Sequence, residues 1–392
     1  MEKNSGNLND GSKENPAAST ILADCSNLGF DPLGIIAHRL NFALDYVRFG
    51  MVCRSWSRVV AENGPSFLPW LMLSQKHDTD FRGVCYPFEN RSLDLHLPEL
   101  HDKRCWGSPC GWVVTLGSDF GLGLLNPLTR AQRVLPPLPN LKNLVCSRRQ
   151  FRNSFVNKVV LSSSPDFVVL AIYSKREKMA ILKAGNHTWT PLPLECCPRG
   201  VEDAICFDGK VYIVGCSWEI AIFDCQGCVL QEIIFPPLQE VFLEHQEDLH
   251  PDDGLVDAYV VEINGLIYVV CKVLETRNDQ FAAFHLRTKR FDVYRLELQG
   301  NEGKSDDVES LGDWSIFVGN NHSFSICCTN KYPDCVSNCI YFTDDRSDFL
   351  HSSTSYDIGV YNLQTRKIQW VAQDDFSVFS YSAPLWFNPS LS

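Results

Sequence analysis

Residues 205–214 read Ile-Cys-Phe-Asp-Gly-Lys-Val-Tyr-Ile-Val, which is two short apolar runs joined by Asp208-Gly209. An Asp-Gly pair favours a tight type I′ turn, because both central residues of that turn need a positive φ angle. The same arrangement returns at residues 260–270, where Asn264-Gly265 joins Val-Val-Glu-Ile to Leu-Ile-Tyr-Val-Val. Each of the two stretches therefore predicts an antiparallel β-hairpin.

Further strands flank each hairpin, so the pattern becomes a repeating unit of four short strands. Five units are clear, at residues 106–135, 159–192, 205–234, 260–296 and 339–370. A repeat of roughly 45 to 55 residues is typical of propeller blades. The sequence thus predicts a mainly β protein with a β-propeller over residues 106–380, to which Leu311–Ile326 and the chain ends can add strands. A β-sandwich or serial barrels are the alternatives for the same strand spacing.

The chain before the propeller changes its pattern twice. Residues 1–24 are polar and carry too little apolar surface to fold alone, so we expect a disordered tail. Residues 25–66 show apolar side chains at helical spacing and predict a small all-α domain. This domain is too short to bury its apolar side chains well, so a partner surface would complete it. We assign residues 67–105 to a linker and entry to the propeller, and residues 381–392 to a C-terminal tail.

Composition and charge argue against several classes of function. The formal net charge is −12 and the pI is near 5.3, whereas nucleic-acid binding needs clustered Lys and Arg. No run approaches the roughly 20 apolar residues of a membrane span. The 17 cysteines accompany no secretory signal, so we expect reduced thiols and a location in the cytoplasm and/or nucleus. Cys225 and Cys228 have zinc-like spacing, but the Gln-Gly between them fits a hairpin turn better, and we expect no metal or cofactor.

Two polar stretches admit a functional and a structural interpretation. Asn321-His322-Ser323, with Asp344 and Asp345, invites a catalytic interpretation, but serine chemistry needs a base and an oxyanion site in reach, and no nucleophile elbow is present. Turns between strands explain these residues better, so we expect no catalytic residues. The acidic run at residues 239–257 is typical of a solvated loop and less often of a docking patch for a basic partner.

Several residues of the small helical domain match a known family pattern, namely Leu28, Leu33, Ile36, Arg39-Leu40, Asp45-Tyr46-Val47-Arg48-Phe49 and Val52-Cys53-Arg54-Ser55-Trp56. On these residues the domain resembles the F-box. The last of these runs is the more specific half, because the family pattern ends with an aromatic residue, a Val-Cys pair and a Trp at these spacings. The first half departs from the pattern, since Leu28-Gly29 stands where the family usually has Leu-Pro, and Pro32 stands where Leu is common.

The rest of the chain also carries motifs of a known family. They are Leu311-Gly312-Asp313, Ile316-Phe317-Val318-Gly319, Asn321-His322-Ser323-Phe324-Ser325, Tyr332-Pro333, Asn338-Cys339-Ile340-Tyr341-Phe342-Thr343-Asp344-Asp345 and Gly359-Val360-Tyr361, together with the run from Leu124 to Arg130 (Leu-Leu-Asn-Pro-Leu-Thr-Arg). On these residues the chain resembles a plant family that joins an F-box to a propeller, the KIB-type propeller, whose first blade matches the run from Leu124. The resemblance covers nearly all of residues 25–372.

The resemblance implies a non-enzymatic substrate-recognition subunit of an SCF-type cullin-RING E3 ubiquitin ligase. Its F-box would bind a Skp-type adaptor, and through it a cullin, while the propeller would hold a protein substrate at residues that the sequence leaves unknown. The implied adaptor-binding residues are Leu28, Leu33, Ile36, Leu40, Val47, Val52 and Cys53. The alternatives are a propeller scaffold with a degenerate F-box, and a glycan-active propeller enzyme with carboxylates that converge in its central channel.

Overall fold

The described part of the chain has helices first and then almost entirely strands. The computed structural model describes residues 28–40, 43–62, 67–75, 79–86, 91–139, 155–162, 167–174, 176–193, 198, 200–216, 219–225, 229–234, 255–277, 285–299, 302–319, 321–328, 335–343, 357–371 and 382–390. The expected N-terminal tail, most of the acidic run, the Gln-Gly turn, and Asp344 and Asp345 lie outside the described residues.

The α-helices in the described chain are α1 (Phe30–His38), α2 (Ala43–Gly50) and α3 (Arg54–Glu62), and a short 3₁₀ helix spans Pro98–Leu100. Helix α1 begins after Gly29, which has an extended backbone with φ −63° and ψ 163°. Pro32 lies in the first turn, where proline is tolerated because the backbone N–H has no partner within the helix. Within the described residues, no helix has the length and apolar character needed to cross a membrane.

The strands of the described chain form six sheets, the blades of a β-propeller. Blade 1 has the order β25-β1-β2-β3, blade 2 β4-β5-β6-β7, blade 3 β11-β10-β9-β8, blade 4 β12-β13-β14-β15, blade 5 β16-β17-β18-β19 and blade 6 β21-β20-β22-β23-β24. The strand bounds are β1 (Trp70–Gln75), β2 (Phe81–Tyr86), β3 (Arg91–His96), β4 (Arg104–Trp106), β5 (Val113–Leu116), β6 (Leu122–Leu125), β7 (Gln132–Val134), β8 (Val156–Leu161), β9 (Val168–Tyr173), β10 (Lys178–Lys183), β11 (Thr190–Pro191), β12 (Val201–Phe207), β13 (Lys210–Gly215), β14 (Glu219–Asp224), β15 (Val229–Ile234), β16 (Leu255–Ile263), β17 (Leu266–Arg277), β18 (His285–Gln299), β19 (Glu302–Asp307), β20 (Trp314–Val318), β21 (Phe324–Cys327), β22 (Cys339–Phe342), β23 (Gly359–Asn362), β24 (Lys367–Trp370) and β25 (Leu385–Phe387).

The two hairpin turns have the predicted backbone conformation. Asp208 and Gly209 have φ angles of 48° and 68°, and Asn264 and Gly265 have φ angles of 51° and 82°. Positive φ at both central residues is what a type I′ turn requires. The hairpins β12–β13 and β16–β17 are therefore confirmed, and with them the mainly β, propeller-type fold.

Blade 1 takes its strands from both sides of the predicted propeller range 106–380. Residues 67–105, expected to form a linker and the entry to the propeller, contain β1, β2 and β3, and residues 381–392, expected to form a tail, contain β25. Trp70, Leu71 and Met72 of β1 pair with Phe387, Trp386 and Leu385 of β25. This pairing joins the two ends of the propeller in one sheet and hydrogen-bonds strands that would otherwise be open edges.

Blade 6 absorbs the stretch Leu311–Ile326, which the sequence left as a source of further strands. Its strand β20 pairs in parallel with β22 and antiparallel with β21, which gives five strands instead of four. The five clear units of the sequence are therefore blades 2 to 6, and the chain ends supply blade 1.

The helices share an apolar core with the propeller. Leu33, Ala37, Tyr46, Phe49 and Val59 belong to the same cluster of buried side chains as residues of blades 1 and 2. The Tyr46 ring meets the Phe67 ring edge-on at 5.6 Å between centroids. The expectation that a partner surface must complete the helical domain is therefore only half right: its inner side is covered by the propeller.

Candidate functional site

The apolar residues of the helical domain fall into two groups: an inner group packs against the propeller, and an outer group is exposed. Trp56 of α3 lies against Phe49 of α2, with 4.2 Å between ring centroids, and holds the two helices together. Six of the ten large hydrophobic side chains that are exposed in the described chain belong to this domain. These six, called the outer apolar set below, are Leu28, Phe30, Ile35, Ile36, Met51 and Val52.

The outer apolar set is unusual for its degree of exposure. Met51 is 78% exposed, Ile35 58% and Val52 57%. Single exposed hydrophobic residues are normal on protein surfaces, whereas several within one small domain mark a surface that another molecule covers. The set comes from Leu28 before α1, from α1 itself and from the turn between α2 and α3.

The structure divides the predicted adaptor-binding residues into two groups. Leu28, Ile36 and Val52 are exposed, as a contact residue must be. Leu33 is only 1% exposed and packs in the core that the helices share with the propeller, so its predicted adaptor contact stays a prediction. Leu40 and Val47 are partly buried against the same core, and Cys53 is partly buried with its Sγ 3.0 Å from Ser55 Oγ.

Sequence reasoning missed Phe30, Ile35 and Met51. Successive residues of an α-helix are separated by roughly 100° around its axis. Ile35 therefore lies roughly 160° from Leu33, on the opposite side of α1. That angle was a signal that α1 carries apolar residues on two faces, of which one is buried.

Charged residues accompany the outer apolar set. Arg48 Nη1 lies 3.1 Å from Asp45 Oδ1 on α2, and Arg58 Nε lies 2.7 Å from Glu62 Oε1 on α3. Both pairs are exposed and contribute little to stability. A polar rim beside an apolar centre is the usual anatomy of a protein–protein interface.

A second concentration of polar side chains lies at the centre of the propeller. Asn321 Nδ2 donates to the carbonyl oxygen of His322 at 2.8 Å, and the backbone N–H of Trp386 donates to Asn321 Oδ1 at 3.4 Å. The backbone N–H of His322 donates to the carbonyl oxygen of Gly107 at 3.0 Å. The turn at residues 321–323 thus joins blade 6 to blades 1 and 2.

Asp203 of β12 extends this network to blades 3, 4 and 5. Its Oδ1 lies 2.5 Å from Lys158 Nζ on β8, and its Oδ2 accepts hydrogen bonds from Ser323 Oγ at 2.7 Å and the backbone N–H of Val260 at 3.2 Å. Complete burial raises the pKa of the Asp203 carboxyl, and the Lys158 ammonium opposes that rise. The Ser323 hydroxyl donates to Asp203 and not to His322, so this geometry ties blades together and does not pair a nucleophile with a base.

His322 is buried beside this ion pair. Within the described chain its Nδ1 has no hydrogen-bond partner. Burial, together with the nearby Lys158 ammonium, lowers the pKa of His322 to about 3, although a hydrogen bond with the backbone of Leu161 opposes the shift. His322 is therefore neutral in the folded protein over the physiological pH range.

The depressed pKa of His322 predicts a loss of stability in acid. Between pH 6.5, its approximate pKa in an unfolded chain, and about pH 3, the unfolded chain binds a proton here that the folded protein does not. The free energy of unfolding therefore keeps its full value above pH 6.5. It decreases as the pH falls through this window, by roughly 1.4 kcal/mol per pH unit. Urea unfolding at pH 7, 6, 5 and 4 measures it, and His322→Gln is expected to flatten the profile.

The raised pKa of Asp203 makes a contribution to the pH dependence of stability that is opposite in sign to that of His322. Because Asp203 is present in both wild type and His322→Gln, the difference between the two profiles reports the His322 proton alone. The matched control is His187→Gln at an exposed position, which should keep the wild-type slope. Equal slopes for wild type and His322→Gln would contradict the prediction.

A cavity of about 770 Å³ lies between blades 5 and 6. Its lining comes from β18, from the end of β19 and the segment after it, from Asn338, and from β23 with the β23–β24 turn. The charged lining residues are Arg290, Asp292, Asp307, Glu309 and Arg366. Arg290 Nε donates to Asp292 at 3.1 Å, whereas the other three charges form no ion pair in the described chain. This groove is large enough for a short peptide segment.

The residues of the described ranges include no cluster of three or more His, Cys, Asp or Glu that could hold a metal ion. The predicted turn at Cys225–Cys228 is not tested by this, since its residues 226–228 lie outside those ranges.

Comparison with known proteins extends over nearly the whole chain. The KIB1-4 β-propeller family matches residues 85–362. F-box protein SKIP23 of Arabidopsis thaliana is 24% identical, over 94% of this chain and 96% of its own length. Putative F-box protein At4g22170 of the same plant is 26% identical over 94% and 97%, and F-box protein At2g17036 is 21% identical over 94% and 96%. The similarity includes the helical domain as well as the blades.

Proposed function

The chain belongs to the KIB1-4 β-propeller family, and from this premise we propose that it is the substrate-recognition subunit of an SCF-type cullin-RING E3 ubiquitin ligase. The observation that carries the proposal is the outer apolar set, which leaves the helical domain of an F-box-like chain with an uncovered apolar surface. Full-length relatives that are named F-box proteins support it. The chain acts as an adaptor, and other subunits supply ubiquitin.

The partner of the outer apolar set is a Skp-type adaptor, and through it a cullin. Full burial of a Val, Leu, Ile, Phe or Met side chain stabilises by about 1.5–3 kcal/mol relative to its exposed state. Burial of Met51, Val52 and Ile35 by an adaptor therefore contributes favourably to the free energy of binding. Leu33 and Phe49 act indirectly, because their burial against the propeller fixes the helices that present this surface.

The propeller holds the protein substrate. The groove between blades 5 and 6 is a suitable surface, because a cavity with exposed Asp307, Glu309 and Arg366 offers partners for the charged side chains and the backbone of a peptide. We place the complex in the cytoplasm and/or nucleus, where the thiols of this chain stay reduced.

A scaffold with a degenerate F-box is the rival function. It is motivated by two residues that depart from the F-box pattern, Gly29 and Pro32. Gly29 is followed by a complete α1, and Pro32 lies in the first turn, where it disturbs no helical hydrogen bond. The departures therefore leave the helix intact, which favours the adaptor-binding function.

The test is capture of a Skp-type adaptor by the purified full chain, followed by a cullin in the same complex on a sizing column. We expect one complex that contains all three proteins. Failure of wild type to retain any adaptor would remove the ligase function and leave the scaffold. Affinity purification with mass spectrometry under proteasome inhibition then identifies the substrate.

A further inference from the structure

Two thiols of blade 6 lie in direct contact. Cys328 follows β21 and Cys335 precedes β22, and their Sγ atoms are 3.0 Å apart. Strand β20 lies between β21 and β22 in the sheet, so the two side chains meet across β20. A disulfide bond is about 2.0 Å long, so the sulfurs need to approach by only about 1 Å to form one.

The surroundings of the two thiols differ. Cys328 is partly exposed, whereas Cys335 is buried. The Cys335 Sγ lies 3.7 Å from the hydroxyl of Tyr341, which also accepts a hydrogen bond from the backbone N–H of Val336 at 3.1 Å. Cys335 is thus held in place on its inner side, while Cys328 is accessible to a small solute.

The hydrogen bond between the thiols separates their ionisation. The Cys335 thiol can donate to a Cys328 thiolate, which lowers the pKa of Cys328, although burial opposes the shift. The same contact keeps the proton on Cys335 and raises its pKa, and burial adds to that rise. A thiolate is the nucleophilic form of cysteine, so Cys328 is the reactive member of the pair.

We propose that Cys328 and Cys335 form a redox modification site, at which a hydroperoxide converts the two thiols to a reversible intramolecular disulfide. This inference concerns the chemistry of blade 6 and does not depend on the ligase function. A metal is not the better occupant, because the described residues place no third Cys, His, Asp or Glu ligand with these two.

The reaction balances with hydrogen peroxide as the oxidant. The Cys328 thiolate attacks one peroxide oxygen, the O–O bond breaks, and the hydroxide released takes a proton to become water. Cys328 is then a sulfenic acid. The Cys335 thiol gives up its proton, its sulfur attacks Cys328 Sγ, and the hydroxyl leaves as a second water. Two thiols are oxidised to one disulfide, and one peroxide is reduced to two waters.

The test uses the reduced full chain, hydrogen peroxide, alkylation of the remaining thiols and tryptic mass spectrometry. Trypsin cuts after Lys331, between the two cysteines, so the bond appears as two linked peptides. We expect this linked pair to be the first product, with a mass loss of two hydrogen atoms, and dithiothreitol should reverse it. The exposed Cys216 should remain alkylatable at the same peroxide dose.

Two serine variants decide which thiols take part. Cys335→Ser should abolish the linked peptides and leave a sulfenic acid on Cys328, which dimedone traps. Cys327→Ser, one residue away, is the matched control and should still form the bond. The proposal is overturned if Cys216 is oxidised before Cys328, if no linked pair forms, or if Cys327→Ser loses the bond while Cys335→Ser keeps it.

Discussion

Asp203→Leu is expected to lower the free energy of unfolding by about 3–5 kcal/mol, the usual cost of removing one partner from a buried ion pair. The leucine would leave the Lys158 ammonium without its carboxylate at a position where Lys158 is almost fully buried. It would also remove the acceptor for Ser323 Oγ and for the backbone N–H of Val260. Because these contacts come from different blades, the loss affects the centre of the whole propeller. Urea-induced unfolding followed by tryptophan fluorescence measures it.

The controls separate burial from charge. Asp306→Leu removes a carboxylate that bonds Arg295 and Lys304 on the solvent side of blade 5, and it should leave the unfolding midpoint nearly unchanged. The double variant Lys158→Met, Asp203→Leu should recover part of the loss, because it leaves no unpaired charge. If Asp203→Leu does not fold, Ser323→Ala removes a single hydrogen bond to the same carboxylate and should cost about 1.5–3 kcal/mol. A stability loss equal to that of Asp306→Leu would contradict the prediction.

The hairpins of blades 4 and 5 could be predicted because their signals are local. Asp208-Gly209 and Asn264-Gly265 each lie between the two strands that they join, so ten consecutive residues contain both the turn chemistry and the pairing. Blade 1 offered no such signal. Trp70 pairs with Phe387, more than 300 residues away along the chain, and no local pattern reports a pairing of that range.

The sequence located the candidate site in the helical domain, but it did not show which apolar residues are exposed and which are buried. Helical spacing shows which residues of α1 are apolar, but both Leu33 and Ile35 are apolar, and only the fold decides which of them is covered by the propeller. The central ion pair had a weak signal: Lys158 and Asp203 are charged residues within the mainly apolar strands β8 and β12, where Asn157 and Glu202 are also polar. A charge at such a position needs a partner, yet the sequence does not say that the partner lies in the next blade.

Val52→Asp is expected to abolish capture of a Skp-type adaptor. Val52 is 57% exposed in the free chain, so the aspartate costs little there. Under the proposed function the adaptor covers this position, and a carboxylate without a partner in an apolar contact costs several kcal/mol. A loss of about 2.7 kcal/mol already weakens binding roughly a hundredfold. Titration of labelled adaptor with wild type and variant measures the ratio of dissociation constants.

The matched control is Val336→Asp, which makes the same change at a comparable exposure of 52% in blade 6 and should bind the adaptor as wild type does. Thermal unfolding of both variants should follow wild type, since neither side chain belongs to the buried core. Ile36→Asp tests whether α1 shares the contact with the α2–α3 turn, and it should weaken binding in the same direction. Equal capture by wild type and Val52→Asp would mean that the outer apolar set is not the adaptor surface, because an aspartate cannot be buried there without a measurable loss of affinity.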